Sequence, residues 1–280
     1  MKHCRKWKSI ILAVMLILGV IALTACGDSI EMKRVGVQHL SDHSAESLKR
    51  LGDKRVFFGH QSVGANIMDG VKDLLVQGSV PPLRVLETKD GGSVAGPFLA
   101  HAKIGANRDP RSKILDFSEI VAAEGADFDV ALMKFCYVDV VGSTDVEALF
   151  SEYRQAIDTL RTRSPSTTFV HVTVPLRVVQ TGPKALLKRL LGRPVGGEED
   201  NIARMRFNEL LRGTYGGKES IFDLAAAEAA DSEGVVRMQI SGRGQFESLL
   251  PVYSDDGGHL NEKGRQTVAS RMLAALAETP

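Results

Sequence analysis

Short apolar runs alternate with helix-period segments through most of the chain. Arg55–Phe58 reads as a strand, and Ala65–Leu75 as a helix with Ile67, Val71, Leu74 and Leu75 on one face. After the break at Pro81-Pro82, "LRVLET" predicts a second strand, "DGGSVAG" a loop and "KILDFSEIVAA" a helix. "FDVALMKFCYV" is apolar almost throughout, as a strand covered on both faces would be. Thr144–Arg161 carries Val146, Leu149, Tyr153, Ile157 and Leu160 along one helical stripe. "TTFVHVTVP" predicts a fourth strand, stopped by Pro175, and "SIFDL" a fifth after a helix over Ile202–Leu211. A last helix runs over Glu262–Leu276, with Asn261 as its N-cap. Strands alternating with helices imply a three-layer α/β/α domain around a parallel sheet of about five strands. Ligands in such sheets bind at the carboxyl ends of the strands.

The N-terminal segment departs from this pattern. Lys2, Arg5, Lys6 and Lys8 precede an apolar run from Ile10 to Leu23. That run is shorter than the roughly 20 residues of a membrane span and suits a signal sequence. It closes on Leu23-Thr24-Ala25-Cys26, which resembles the bacterial lipobox. The resemblance implies a signal peptide over residues 1–25 and a lipid on Cys26. A tether then covers 26–52 and the catalytic-type domain 53–280. The expected location is the cell membrane or outer membrane, facing the periplasm or exterior, with the lipid as the membrane partner. With Cys4 removed and Cys26 lipidated, only Cys136 is left, inside an apolar run, and is read as a buried inert thiol. His39 and His43 are spaced i, i+4 but are read as part of a solvated linker or helix face.

Composition adds mainly exclusions. The 280 residues are 44% hydrophobic and 25% charged, with a formal net charge of +1, so no nucleic-acid partner is indicated. The chain is read as a monomer, and no metal or organic cofactor is implied.

Two segments carry candidate chemistry. In "VFFGHQSVGAN" the first strand ends in Gly59–Gly64, placing Ser62 at a strand-to-helix turn. A helix N-terminus there would favour developing negative charge. Far downstream, "YSDDGGHLNEKG" sets Asp256 three residues before His259, just ahead of the last helix. An Asp that orients a His, which in turn deprotonates a Ser, is what nucleophilic acyl transfer needs. Asp255 competes with Asp256 for the orienting role. Ser62 read alone is a helix cap.

At these residues the chain resembles the SGNH (GDSL-type) hydrolase superfamily, whose sheet is flavodoxin-like. "DGGHLNEKG" is similar to the family's last block, and "NIARMRFNELLRGTY" followed by "IFDLAAAEA" to its penultimate helix and fifth strand. The resemblance spans roughly Lys54 to Leu276. It implies Ser62 as nucleophile, His259 as base and Asp256 as its partner. The family's Gly-Asp-Ser block is here His60-Gln61-Ser62. Its oxyanion hole uses the Ser backbone N–H, a Gly after the second strand and an Asn after the third. Gly92 stands for the Gly, but "KFCYVDV" offers no Asn. Asn107 and Gly105, in "HAKIGANRDP", could swing in from an excursion after the second strand; Tyr137 and Lys134 are the other candidates. His60 either touches substrate or the oxyanion, or packs beside Ser62. His101 and His171 are read as structural, and Asp139 as a partner of a neighbouring loop.

The resemblance implies a membrane-anchored ester hydrolase or O-acyltransferase, with an acylated envelope glycan or lipid as substrate. The alternative is a catalytically inactive glycan- or partner-binding lipoprotein. Two long segments approach the predicted site. "PKALLKRLLGR" sets Leu186, Leu187, Leu190 and Leu191 against Lys184, Lys188, Arg189 and Arg193, as a lid, a lipid-facing helix or a surface helix. "RMQISGRGQFESLLPVY" is the second.

Overall fold

The computed structural model describes residues 30–32 and 45–280. The signal sequence, Cys26, His39 and His43 lie outside the described residues. In chain order the elements are β1 (Ile30–Met32), α1 (Ala45–Gly52), β2 (Arg55–His60), α2 (Ser62–Val76), β3 (Val85–Glu87), β4 (Phe98–Lys103), α3 (Pro110–Val121), β5 (Val130–Met133) and α4 (Val146–Arg163). Then follow β6 (Thr168–Val172), α5 (Pro183–Leu190), α6 (Glu198–Tyr215), β7 (Ile221–Phe222), α7 (Leu224–Ala229), β8 (Val236–Ser241), β9 (Gly244–Glu247), a 3-10 turn (Pro251–Tyr253) and α8 (Glu262–Glu278).

Six strands form one parallel sheet in the order β3-β4-β2-β5-β6-β7. The extra strand is β4. The sequence reading assigned no strand here and put "HAK" at the head of the excursion after the second strand; His101 and Lys103 break the apolar run that would mark a buried strand. Helices cover both faces, and the two-residue period of β2 divides its side chains between them. Val56 and Phe58 pack with Ile67, Met68 and Val71 of α2 and with Met272 and Leu273 of α8. Phe57 points the other way, onto Phe117 of α3, and shares that face's core with Phe150 and Tyr153 of α4 and Phe207 of α6. Each fully buried Phe contributes about 1.5–3 kcal/mol relative to exposure.

Several helices start where the sequence supplies caps. Asp145 accepts from the Ala148 N–H, Asp223 from Ala226 and Asn261 from Gly264. A small antiparallel sheet, β1-β8-β9, lies apart from the main one. It turns "RMQISGRGQFE" into a hairpin rather than an open approach to the site. No helix among the described residues is long and apolar enough to cross a membrane.

Register sets the reactive edge. His60 aligns with Lys103, Gly59 with Met133, and Met133 with His171. The loops after β2, β4, β5 and β6 therefore leave from one edge of the sheet, together with the turn that precedes α8.

Candidate active site

Ser62 is the first residue of α2, and Gln61 holds the N-cap position without a side-chain cap bond. Ser62 is thus not the cap itself. Its N–H, the first of the helix, has no intrahelical acceptor. Its Oγ lies 3.0 Å from His259 Nε2. His259 Nδ1 lies 2.6 Å from Asp256 Oδ2. The second carboxylate oxygen, Oδ1, accepts from the backbone N–H groups of Gly258 and His259, each at 2.8 Å. Hydrogen bonding to His259, reinforced by those N–H donors, holds the Asp256 carboxyl well below the usual carboxylate range. Asp255 faces elsewhere, with Oδ1 accepting from Asn261 Nδ2 at 3.1 Å.

Two glycines make this loop possible. Gly257 has φ of 81°, a left-handed conformation that favours glycine. A Cβ on Gly258 would come within 2.9 Å of the Tyr137 ring. Tyr137 is buried from its place after β5, and its ring meets His259 edge to face at 5.9 Å between centroids.

The first block is wired differently. His60 is only 2% exposed. Its Nδ1 lies 2.8 Å from the Gln61 carbonyl oxygen, which can only accept, so Nδ1 carries the proton. Nε2 then accepts from His101 Nδ1 at 3.0 Å. Burial pushes the His60 imidazole down to about 3, and it is neutral at ordinary pH. Both ring nitrogens are engaged inside the protein, so His60 does not reach substrate or an oxyanion. The Gln61 side chain donates through Nε2 to the carbonyls of Ile104 and Gly105, both at 2.8 Å. The block that departs from the resemblance therefore serves to fasten the loop after β4 beside Ser62.

Gly92 requires a correction. β3 and β4 are parallel, so the connection between them must cross back from the carboxyl edge to the amino edge. Gly91 accepts from Arg55 Nη2, at the start of β2, and a Cβ on Gly92 would meet the Gly125 carbonyl in the approach to β5. Gly92 therefore lies at the edge opposite Ser62 and offers no oxyanion donor. Gly105 is at the correct edge, but its N–H is already bonded to Asp116 Oδ2 at 2.9 Å.

Asn107, two residues on, is exposed. Lys113 Nζ holds its Oδ1 at 3.0 Å, leaving the amide NH2 without a hydrogen-bond partner among the described residues. Lys113 in turn pairs with Asp139, both side chains being fully buried. Asp139 also accepts from the N–H groups of Arg108 and Cys136, stitching the loop after β4 to the loop after β5. Sequence reasoning gave Asp139 a loop partner but missed Lys113, whose place in a helix carries no local signal. Lys134 is buried, and its Nζ donates to the Phe135 carbonyl. His171 is also internal, bonded to Tyr153 and Glu219. Cys136 is a buried free thiol. Among the described residues no three His, Cys, Asp or Glu side chains are grouped to hold a metal ion.

No family model and no curated protein matches the chain. Solved structures do resemble it. One is a candidate platelet activating factor from Streptococcus pneumoniae, at 12% identity and a TM-score of 0.46, covering 85% of this chain and 94% of that one. A second is a candidate lipolytic protein of the G-D-S-L family from Desulfitobacterium hafniense, at 9% identity and a TM-score of 0.42, covering 69% and 99%. A third is a candidate GDSL-like lipase from Parabacteroides merdae, at 13% identity and a TM-score of 0.39, covering 80% and 95%.

Proposed function

We propose that the protein is a serine-dependent ester hydrolase or acyl transferase, with Ser62 as nucleophile, His259 as general base and Asp256 as the residue that orients it. The observation that carries the reading is the unbroken chain of hydrogen bonds from Ser62 Oγ through His259 to Asp256. Ser62 attacks an acyl carbonyl as His259 Nε2 takes its proton. The acyl C–O bond breaks, and His259 returns that proton to the leaving alcohol. Water, or a hydroxyl acceptor, then gives a proton to His259 and attacks the acyl-enzyme, releasing the acid or a new ester and restoring Ser62.

The transient oxyanion receives the Ser62 N–H at the positive end of α2 and the Asn107 amide NH2. One donor of this kind is worth about 3–4 kcal/mol in the transition state. The loop after β4 lets Asn107 replace an Asn that the loop after β5 lacks. The expected substrates are acylated glycans or lipids of the cell envelope, reached from a lipid anchor on Cys26.

The test is acyl release by purified protein from a panel of short- and medium-chain esters and O-acetylated glycans, comparing wild type with Ser62→Ala. Release that Ser62→Ala abolishes is the expected result. Undiminished release by Ser62→Ala places the nucleophile elsewhere. No release from any ester favours the binding module.

A further inference from the structure

Arg177 stands at the lip of this site and does not take part in the chemistry above. Its backbone is clamped: the N–H donates to Asn201 Oδ1 at 3.0 Å, and the carbonyl accepts from Asn201 Nδ2 at 2.7 Å. Nε donates to the Gly257 carbonyl at 3.3 Å, inside the loop that carries Asp256 and His259. The guanidinium carbon lies 5.3 Å from the centre of the Tyr137 ring, the same ring that meets His259. These contacts fix the orientation of an exposed side chain. No carboxylate among the described residues pairs with it, and both Nη groups are left to face solvent.

The charges nearby are of both signs, and Arg177 is the cation among them that no carboxylate of the described residues engages. Arg204 is buried beneath the same ring, at 5.9 Å, and donates to the carbonyls of Tyr137 and Val140. Asp256 is engaged with His259, Asp255 with Asn261, and Asp200 with Arg204. A planar guanidinium with two outward N–H groups matches a carboxylate or phosphate in a bidentate fork.

Resting on the hydrolase reading, we infer that Arg177 forms a subsite for an anionic group of the substrate, so the preferred ester carries a carboxylate or phosphate on the alcohol part, which leaves the acyl carbon as Ser62 is acylated. Neutral esters are then poorer substrates of the same triad.

Three acetyl esters of one phenol framework test this. Their para arms are two methylene groups ending in a carboxylate, a carboxamide or a phosphate ester, far enough from the phenol to leave its reactivity alike. The expected result for wild type is kcat/KM about tenfold or more higher for the carboxylate than the carboxamide, falling as salt rises. In Arg177→Gln that ratio falls to near one, and Arg177→Lys recovers part of it. A ratio near one in wild type, or one that survives in Arg177→Gln, overturns the subsite. Because the ratio is taken within each variant, disturbance of Tyr137 or Gly257 does not imitate the result. A phosphate arm above the carboxylate arm identifies the anion as phosphate. Should none of the esters turn over, the hydrolase reading fails by itself. Calorimetric titration with the corresponding phenols then decides the subsite: anion-selective binding lost in Arg177→Gln supports it, and equal or no binding overturns it.

Discussion

Two loops meet at Ser62, and they are built in opposite ways. The Asp256–His259 loop is wired within itself: four residues make the carboxylate–imidazole bond and two backbone bonds to the same carboxylate. It is also open to water, with side chains of His259 and Asp256 that are 41% and 58% exposed. The His60–Gly64 turn is buried and wired to other strands, through His101 on β4 and the carbonyls of Ile104 and Gly105. One loop presents a base whose carboxylate–imidazole geometry is set within four residues, with Tyr137 and Arg177 packed against it. The other presents a nucleophile that depends on where two neighbouring strands end. Changes in the first should therefore act on rate, and changes in the second on stability as well.

The largest expected effect is Asp256→Asn. Asn keeps an acceptor for the Gly258 and His259 N–H groups but offers an NH2 to the His259 ring, favouring the wrong tautomer. The proposed turnover should fall roughly 10⁴-fold, with stability lowered by only about 1 kcal/mol, because the carboxylate's bonds are largely exposed to water. Steady-state kinetics on the best ester and urea unfolding read the two sides. A large loss of stability would break the contrast between the loops.

Gly64→Ala is the counterpart. A Cβ there would stand 2.2 Å from His60 Cβ, and His60 is fixed by two hydrogen bonds, so backbone must move. The expected loss is about 3 kcal/mol in urea unfolding, at the upper end for overpacking, accompanied by lower activity because Ser62 lies two residues away. Unchanged stability would show that the turn yields as readily as an exposed loop.

This contrast also explains what the sequence revealed. Asp256, Gly257, Gly258 and His259 are neighbours in the chain, so spacing alone carries their geometry. The alternation of strands and helices is likewise local, and the three-layer architecture follows from it. The pairing of β4 with β2 is not local. A strand containing His101 looks polar until His60 lies against it, and Gly92 was misplaced because the Gly was sought after "LRVLET", read as the second strand, while β4 went unread. The same distance hides the Lys113–Asp139 pair, joined across 26 positions. Asn107 was visible as an amide, but its fixed orientation comes from that pair.

Gln61→Ala tests the fastening of the loop after β4 more gently. It removes one side chain's bonds to Ile104 and Gly105 and leaves the strand pairing intact. A loss of about 1–2 kcal/mol is expected from the unpaired carbonyls. The proposed kcat should fall about tenfold, with KM less affected, if Asn107 is an oxyanion donor. Loss of stability without loss of kcat would separate the loop from the transition state.

The smallest effect is in the pH dependence of stability, and its sign separates the buried turn from another buried group. His60 takes up a proton near 6.5 when unfolded and only near about 3 when folded. Between those values the unfolded chain binds more protons, so stability declines as pH falls from 6.5 towards 3. His171, lowered by burial to about 4, acts in the same direction. Glu228 opposes them: burial raises its carboxyl to about 8 from 4.5, so its contribution declines as pH rises through that window. Each group changes stability by at most about 1.4 kcal/mol per pH unit. The net decline should therefore be one group's worth between pH 6.5 and 4.5, where Glu228 offsets one histidine, steepest between about 4.5 and 4, where both histidines act unopposed, and again one group's worth from about 4 to 3. Urea midpoints taken across this range for wild type and His60→Asn, which keeps a donor near the Gln61 carbonyl, measure the difference. The variant should lose part of the acid slope while Asp256→Asn keeps the steepening that the buried histidines produce, because its site is the exposed loop. An acid slope unchanged in His60→Asn would mean that His60 takes up its proton as freely in the folded protein as in the unfolded chain, and the distinction between a buried, strand-wired turn and an open, self-wired loop would fail at its most sensitive point.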